Sequence, residues 1–227
     1  MRLPAIATPG AAVLALGCAV LIYGGNFTAN RSAIQAGLTP DDMVALRFLV
    51  AGPLLLPVFI AMGWRDCAGI GWGRGLLLAF TSGIPMVLLM NIGLSMAPAA
   101  FGAAVQPGMV TVVATLAGFL LFGVRPSVPA LGGISTAILG LALIGAAGAA
   151  SAGPEALTGV ILFAIAGAVW GGYVVLARKF GVDPLAATVA AAVISGALWA
   201  PWYFAFATIR ITEAPAGLIA FHAFNQG

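Results

Sequence analysis

GLLLAFTSGIPMVLLMNIGLSMAPAAFGAAVQPGMVTVVATLAGFLLFGV, residues 75–124, contains no Asp, Glu, Lys, Arg or His. About 20 apolar residues cross a bilayer as a helix. This stretch is too long for one crossing and is expected to break near Pro98 into two. The rest of the chain reads the same way. Of its 227 residues, 62% are hydrophobic and 7% charged, and the mean hydropathy is +1.13. A soluble domain carries about 25% charged residues, so this chain has too few to cover a water-facing surface. Lipid resolves the problem, because there the apolar faces point outward. Backbone groups must then be satisfied internally, by helices or by a closed barrel. Barrel strands alternate apolar and polar residues over about 10 positions. The runs here are continuous, so the expected fold is all-α, a polytopic helical membrane protein.

Working outward from residues 75–124, the other charge-free stretches mark further spans. The first lies within Leu3–Asn30 and the second mostly within Phe48–Trp64. The fifth, sixth and seventh lie within Pro126–Pro154, Ala156–Ala177 and Pro184–Ile209. Ala216–Gly227 begins an eighth. Thr39-Pro40-Asp41-Asp42 supplies an N-cap, a Pro at the first helical position and acids at the positive helix end. Asp183-Pro184 repeats that device before the seventh span. Arg2 before an apolar run loosely resembles a signal peptide, but the run outlasts an h-region of about 7–15 residues, so a retained helix is expected. With the N-terminus inside, Arg2, Arg65, Arg74, Arg125, Arg178 and Lys179 all fall on the cytoplasmic side, as the positive-inside rule favours.

The net charge of +3 is dispersed. It sets topology and implies no nucleic-acid partner. Cys18 and Cys67 are the only cysteines, and neither their number nor their placement suggests a disulfide framework or a metal site. One His and no acid well inside a span argue against an intramembrane enzyme. No cofactor is expected. Gly71-Trp72-Gly73-Arg74-Gly75 lacks the preceding strand that a phosphate loop needs.

A weak self-similarity runs through the chain. Tyr23-Gly24-Gly25 with Arg31 matches Trp170-Gly171-Gly172 with Arg178 at the same offset. Pro40, Gly52 and Pro57 match Pro184, Gly196 and Pro201, and Ala79–Gly83 matches Ala223–Gly227. The units are expected at 1–150, with five spans, and at 151–227, with two spans and the start of a third. Five is odd, so the copies enter the membrane from opposite sides. Inverted repeats recur in secondary transporters, with the substrate site near the midplane between the halves. The second repeat is expected to be incomplete, and the register predicts about 65 further residues beyond Gly227. The expected function is therefore transport of a small molecule. The alternative is an incomplete, non-functional fragment of such a transporter.

Several polar residues lie within spans. Arg47 sits about 12 Å below the Thr39 cap at 1.5 Å per residue. It is either a cationic group for an anionic or carboxylate-bearing substrate, or an Arg that snorkels toward Asp41 and Asp42 or packs on helix-end carbonyls. Asn26, Asn91 and Gln106 could bond substrate or join helices. Tyr23, Trp170 and Tyr173 could line a cavity or form an interfacial belt. His222, the only histidine, lines the packed interior or the lumen. All six acids fall in loops or at span ends, which leaves His222 as the one candidate proton carrier near neutral pH.

Tyr23-Gly24-Gly25-Asn26-Phe27, Leu46-Arg47-Phe48, Ala103–Pro107 with the apolar run to Gly123, and Ala166–Arg178 resemble the EamA-type transporters of the drug/metabolite transporter superfamily. The resemblance covers nearly the whole chain. It implies a multi-pass protein of the inner (plasma) membrane with cytoplasmic termini, ten helices in the family's full form, and export of amino acids, metabolites or drugs. The partners it implies are the lipid bilayer and a small-molecule substrate. The sequence departs from the family where a Gly-Glu pair usually ends the fourth helix. Here Gly123 is followed by Val124-Arg125-Pro126.

Overall fold

The computed structural model describes residues 9–123 and 127–226. Arg2, the start of the first expected span, Val124-Arg125-Pro126 and Gly227 lie outside them. Every regular element among the described residues is helical: α1 (Pro9–Gln35), α2 (Pro40–Ala61), α3 (Trp72–Ser82), α4 (Ile84–Met96), α5 (Ala99–Phe122), α6 (Val128–Phe180), α7 (Pro184–Phe206) and α8 (Ala216–Gln226), with short 3-10 turns at Trp64–Asp66 and Ile211–Glu213. Among the described residues, six segments are long and apolar enough to cross a bilayer: Pro40–Ala61, Trp72–Met96, Ala99–Leu121, Val128–Ala147, Gly153–Phe180 and Pro184–Phe206. The first expected span falls on α1, a helix of 27 residues that is not among these six.

Helix starts follow from local chemistry. At α2 the Thr39 side chain accepts from the Asp42 N–H at 3.1 Å, and the Asp42 carboxylate accepts from the Thr39 N–H at 2.8 Å, a reciprocal capping box with Pro40 behind it. At α7 the Asp183 carboxylate accepts from the Ala186 N–H at 3.0 Å.

Two breaks re-aim the chain. Gly83 ends α3 and starts α4 with Pro85 in the first turn, so the third span is a broken helix. The sequence reading placed the break in residues 75–124 only near Pro98. That break is present at Ala97-Pro98, and Gly83 is a second one. The other joint is Gly153, at φ 79° and ψ −175°, inside the long α6. Positive φ is cheap only for Gly, and Pro154 disfavours helix for the residue before it. Gly153 thus separates the fifth span from the sixth.

One further boundary differs from expectation. The first expected span ends by Asn30, but α1 continues through Arg31 to Gln35. Its guanidinium donates to the Leu94 carbonyl, pinning α1 to the end of α4.

The main core lies where α1, α2, α4, α6 and α7 meet, around Phe27, Phe48, Met90, Phe163 and Tyr203. A second core, with Phe59, Cys67, Leu78 and Ile194, sits at the other end of the α2–α7 pair. Large apolar side chains such as Leu21, Leu120, Val128 and Phe204 are exposed, as a lipid-facing surface requires.

α2 and α7 run antiparallel and pack closely. The start of α2 meets the end of α7 through Asp42, whose carboxylate accepts from the Tyr203 hydroxyl at 2.5 Å and from the Arg210 N–H at 3.3 Å. Farther along, Gly52 faces Gly196, and a Cβ built on either would lie 3.5 Å from the Cα of the other. Small residues allow such close approach where no hydrophobic drive exists between helices in lipid.

Candidate functional site

A cavity of about 650 Å³ lies inside the bundle and takes residues from α1 through α8. Ligand pockets typically enclose about 300–1,000 Å³. One wall is aromatic. Tyr23 of α1 stacks on Trp170 of α6, with ring centroids 5.6 Å apart and planes 25° apart. Tyr173, one turn further along α6, and Phe48 of α2 extend that wall. Met86 and Met90, one turn apart on α4, add a soft apolar surface.

The polar atoms are few. Arg47 projects from α2 into the cavity, half-buried, with its guanidinium carbon 5.7 Å from the Phe48 ring centroid. No Asp or Glu is among the described residues lining the cavity. The alternative in which Arg47 turns toward Asp42 is not what the structure shows. Both oxygens of that carboxylate are occupied, by Thr39 on one side and by Tyr203 and the Arg210 N–H on the other.

Gln106 of α5 is 1% exposed. Its Nε2 donates to the Met86 sulfur at 3.3 Å, and its Oε1 accepts no hydrogen bond from the described residues. The buried Tyr23 hydroxyl also has no hydrogen-bond partner among the described residues. Asn26 accepts from Asn225 Nδ2 at 3.2 Å, which ties the short α8 to α1 at the cavity's edge.

Of the residues singled out in the sequence, Tyr23, Asn26, Arg47, Gln106, Trp170 and Tyr173 converge on this cavity. Asn91 lies outside its lining. It is fully buried, accepts from Asn30 Nδ2 at 3.2 Å and donates to the Val87 carbonyl at 2.9 Å, so its amide links α1 to α4. His222 is fully buried on α8, edge-on to Phe221, with neither ring nitrogen hydrogen-bonded among the described residues, and is also outside the lining.

The sequence reading missed Ser82, Thr188 and Asn225, which line the cavity. Ser82 stands beside the Gly83 break. Thr188 lies one turn into α7 from the Asp183-Pro184 cap, and Asn225 near the end of α8. A hydroxyl or amide near a helix end gives no sign of facing a cavity. Among the described residues no cluster of His, Cys, Asp and Glu could hold a metal ion.

Neither the curated proteins nor the solved structures give a match to this chain. The family comparison does. Residues 10–146, more than half of the chain, match the EamA-like transporter family. An all-helical apolar bundle with a cavity at its centre is the setting that match calls for, and this chain, a membrane transporter of the drug/metabolite type, belongs to the EamA-like transporter family.

Proposed function

We propose that the protein moves a small molecule across the inner membrane through this cavity, by alternating access between two inverted halves that meet near Gly153. The observation that carries the reading is a pair of self-matching contacts. In the register of the repeat, Tyr23 corresponds to Trp170 and Gly52 to Gly196. Tyr23 stacks on Trp170, and Gly52 faces Gly196. Residues related by a two-fold axis touch their own counterparts only where they lie beside it. A two-fold axis in the membrane plane relates inverted repeats, and substrate binds where the halves meet. Tyr23 and Trp170 line the cavity, as do Ala51 and Ala192.

The Lys/Arg distribution supports a cytoplasmic N-terminus, and the family resemblance supports export. Reporter fusions after Arg74 and Lys179 are expected to be cytoplasmic, and fusions near Ala99 and Glu155 external. A cytoplasmic signal at Glu155 contradicts that topology. Alternating access is tested by placing a cysteine at Ser82, in a background without Cys18 and Cys67, and labelling it with membrane-impermeant maleimides in vesicles of known orientation. Labelling from both sides is expected, with a saturating substrate shifting the ratio. Labelling confined to one side under all conditions contradicts the mechanism.

A further inference from the structure

We propose that the cavity selects its substrate by charge, taking organic monocarboxylates that carry an apolar or aromatic body and one neutral hydrogen-bond donor. This deepens the transport reading above and rests on it.

Three observations lead there. The first is the state of Arg47. A guanidinium at bilayer depth is costly and is retained where it faces a partner or a cavity. Here, among the described residues, its charge meets the Phe48 ring and the Tyr23 side chain, and no carboxylate shares the cavity with it. The nearest acid on its own helix, Asp42, is engaged with Thr39, Tyr203 and the Arg210 N–H. An Arg fork matches a carboxylate in two parallel hydrogen bonds, so an entering carboxylate supplies the missing counter-charge.

The second is the absence of an acid from the described lining. An ammonium group entering the cavity would meet one positive charge and no negative one. The zwitterion of a free amino acid is therefore disfavoured at its amine end, and a cation at every point. Net charge −1 is the complementary state.

The third is Gln106. A buried carbonyl oxygen without a donor is an unsatisfied acceptor, and Oε1 of Gln106 is one. A substrate N–H or O–H completes it. The Tyr23–Trp170 pair, Tyr173, Met86 and Met90 offer the remaining wall to an apolar body. A carboxylate at Arg47, a neutral donor at Gln106 and a ring against the aromatic wall together describe an N-acylated amino acid or a compound of like chemistry.

The test uses three probes with one body: N-acetyl-phenylalanine (charge −1), phenylalanine (zwitterion) and phenylalanine amide (charge +1). Binding is measured by calorimetry on the protein in phosphatidylcholine nanodiscs, which carry no anionic headgroup to compete. N-acetyl-phenylalanine is expected to bind at least tenfold more tightly than phenylalanine, and the amide not at all. Arg47→Gln should weaken N-acetyl-phenylalanine at least tenfold and erase the ranking. Should that variant not fold, Gln106→Glu serves, because it puts a carboxylate into the cavity beside Arg47 and should move the preference from N-acetyl-phenylalanine to zwitterionic phenylalanine. Equal affinities, a reversed order in the unaltered protein, or binding of none of the three overturns the inference. Flux of the same probes into proteoliposomes is read separately. Probes that bind in the expected order but never cross contradict the transport reading and leave the charge selection standing. Probes that cross without regard to charge do the opposite.

Discussion

Gly196 of α7 and Gly52 of α2 face each other at Cα level, yet they are not equally crowded. A Cβ on Gly196 would fall 2.6 Å from the Phe48 carbonyl oxygen, whereas one on Gly52 would come no nearer than 3.4 Å to any atom outside its own neighbourhood. Backbone cannot swing aside as a side-chain tip can. Gly196→Ala is therefore expected to force α2 and α7 apart and cost about 1–3 kcal/mol. Gly52→Ala fits, and gains up to about 1 kcal/mol from lower chain entropy in the unfolded state. Unfolding in mixed detergent micelles separates the two. Equal losses would contradict the geometry.

Tyr203 and Asp42 clamp the opposite end of the same helix pair. The phenol donates to a fully buried carboxylate that also caps α2. A hydrogen bond to a charged group contributes about 1.5–3 kcal/mol. Tyr203→Phe should lose that much, and Asp42→Ala more, because the capping box goes with it. Neither residue lines the cavity, so substrate affinity of the folded fraction should be unchanged. A shift in affinity that outweighs the shift in stability would show that the clamp shapes the site.

Asn91 offers the contrasting case. Its amide bonds Asn30 and the Val87 carbonyl, and such bonds between helices in bilayers average about 0.6 kcal/mol. Asn91→Leu is expected to lower stability by about that amount and to leave substrate binding intact. Gln106→Leu, which removes an acceptor from the cavity wall, should do the reverse. Binding isotherms and unfolding curves on both variants decide it.

Cys67 lies in the loop between α2 and α3, buried against Gly75, where an added Cβ would strike its sulfur. Burial, with the Asp66 charge beside it, pushes the thiol above its ordinary value of 9.0. The neutral thiol is the form that packs. Its contribution is complete below pH 9.0 and falls as pH rises from there through the higher folded value. Alkylation of Cys67 should be slow at neutral pH, with a midpoint above 9.0. Gly75→Ala should expose the thiol and bring that midpoint down. A midpoint at or below 9.0 in the unaltered protein contradicts the packed state.

What the sequence revealed depended on chemistry that leaves a local mark. Thr39-Pro40 and Asp183-Pro184 announce helix starts because a cap needs a specific side chain at a specific backbone position. Arg47, Gln106, Tyr23 and Trp170 stood out because polar and aromatic groups are rare in these runs, and the structure brings them to one cavity. Asn91 carries the same amide as Gln106 but turns it to neighbouring helices, and nothing local distinguishes the two. The Gly83 break was hidden because an apolar run without charges offers little punctuation. Asp42 read as an ordinary acid at a helix start. Its burial depends on α7 ending beside it, 161 positions away in the chain.

The central claim is transport through the cavity, and flux in proteoliposomes tests it most directly. The panel would comprise radiolabelled organic acids, amino acids and amines, offered to the protein and to Ala191→Trp, which fills the cavity from the α7 wall. The account predicts saturable flux of at least one compound, lowered tenfold or more by Ala191→Trp at unchanged folding. Flux no faster than in protein-free liposomes for every compound, or equal flux with the cavity filled, would contradict it.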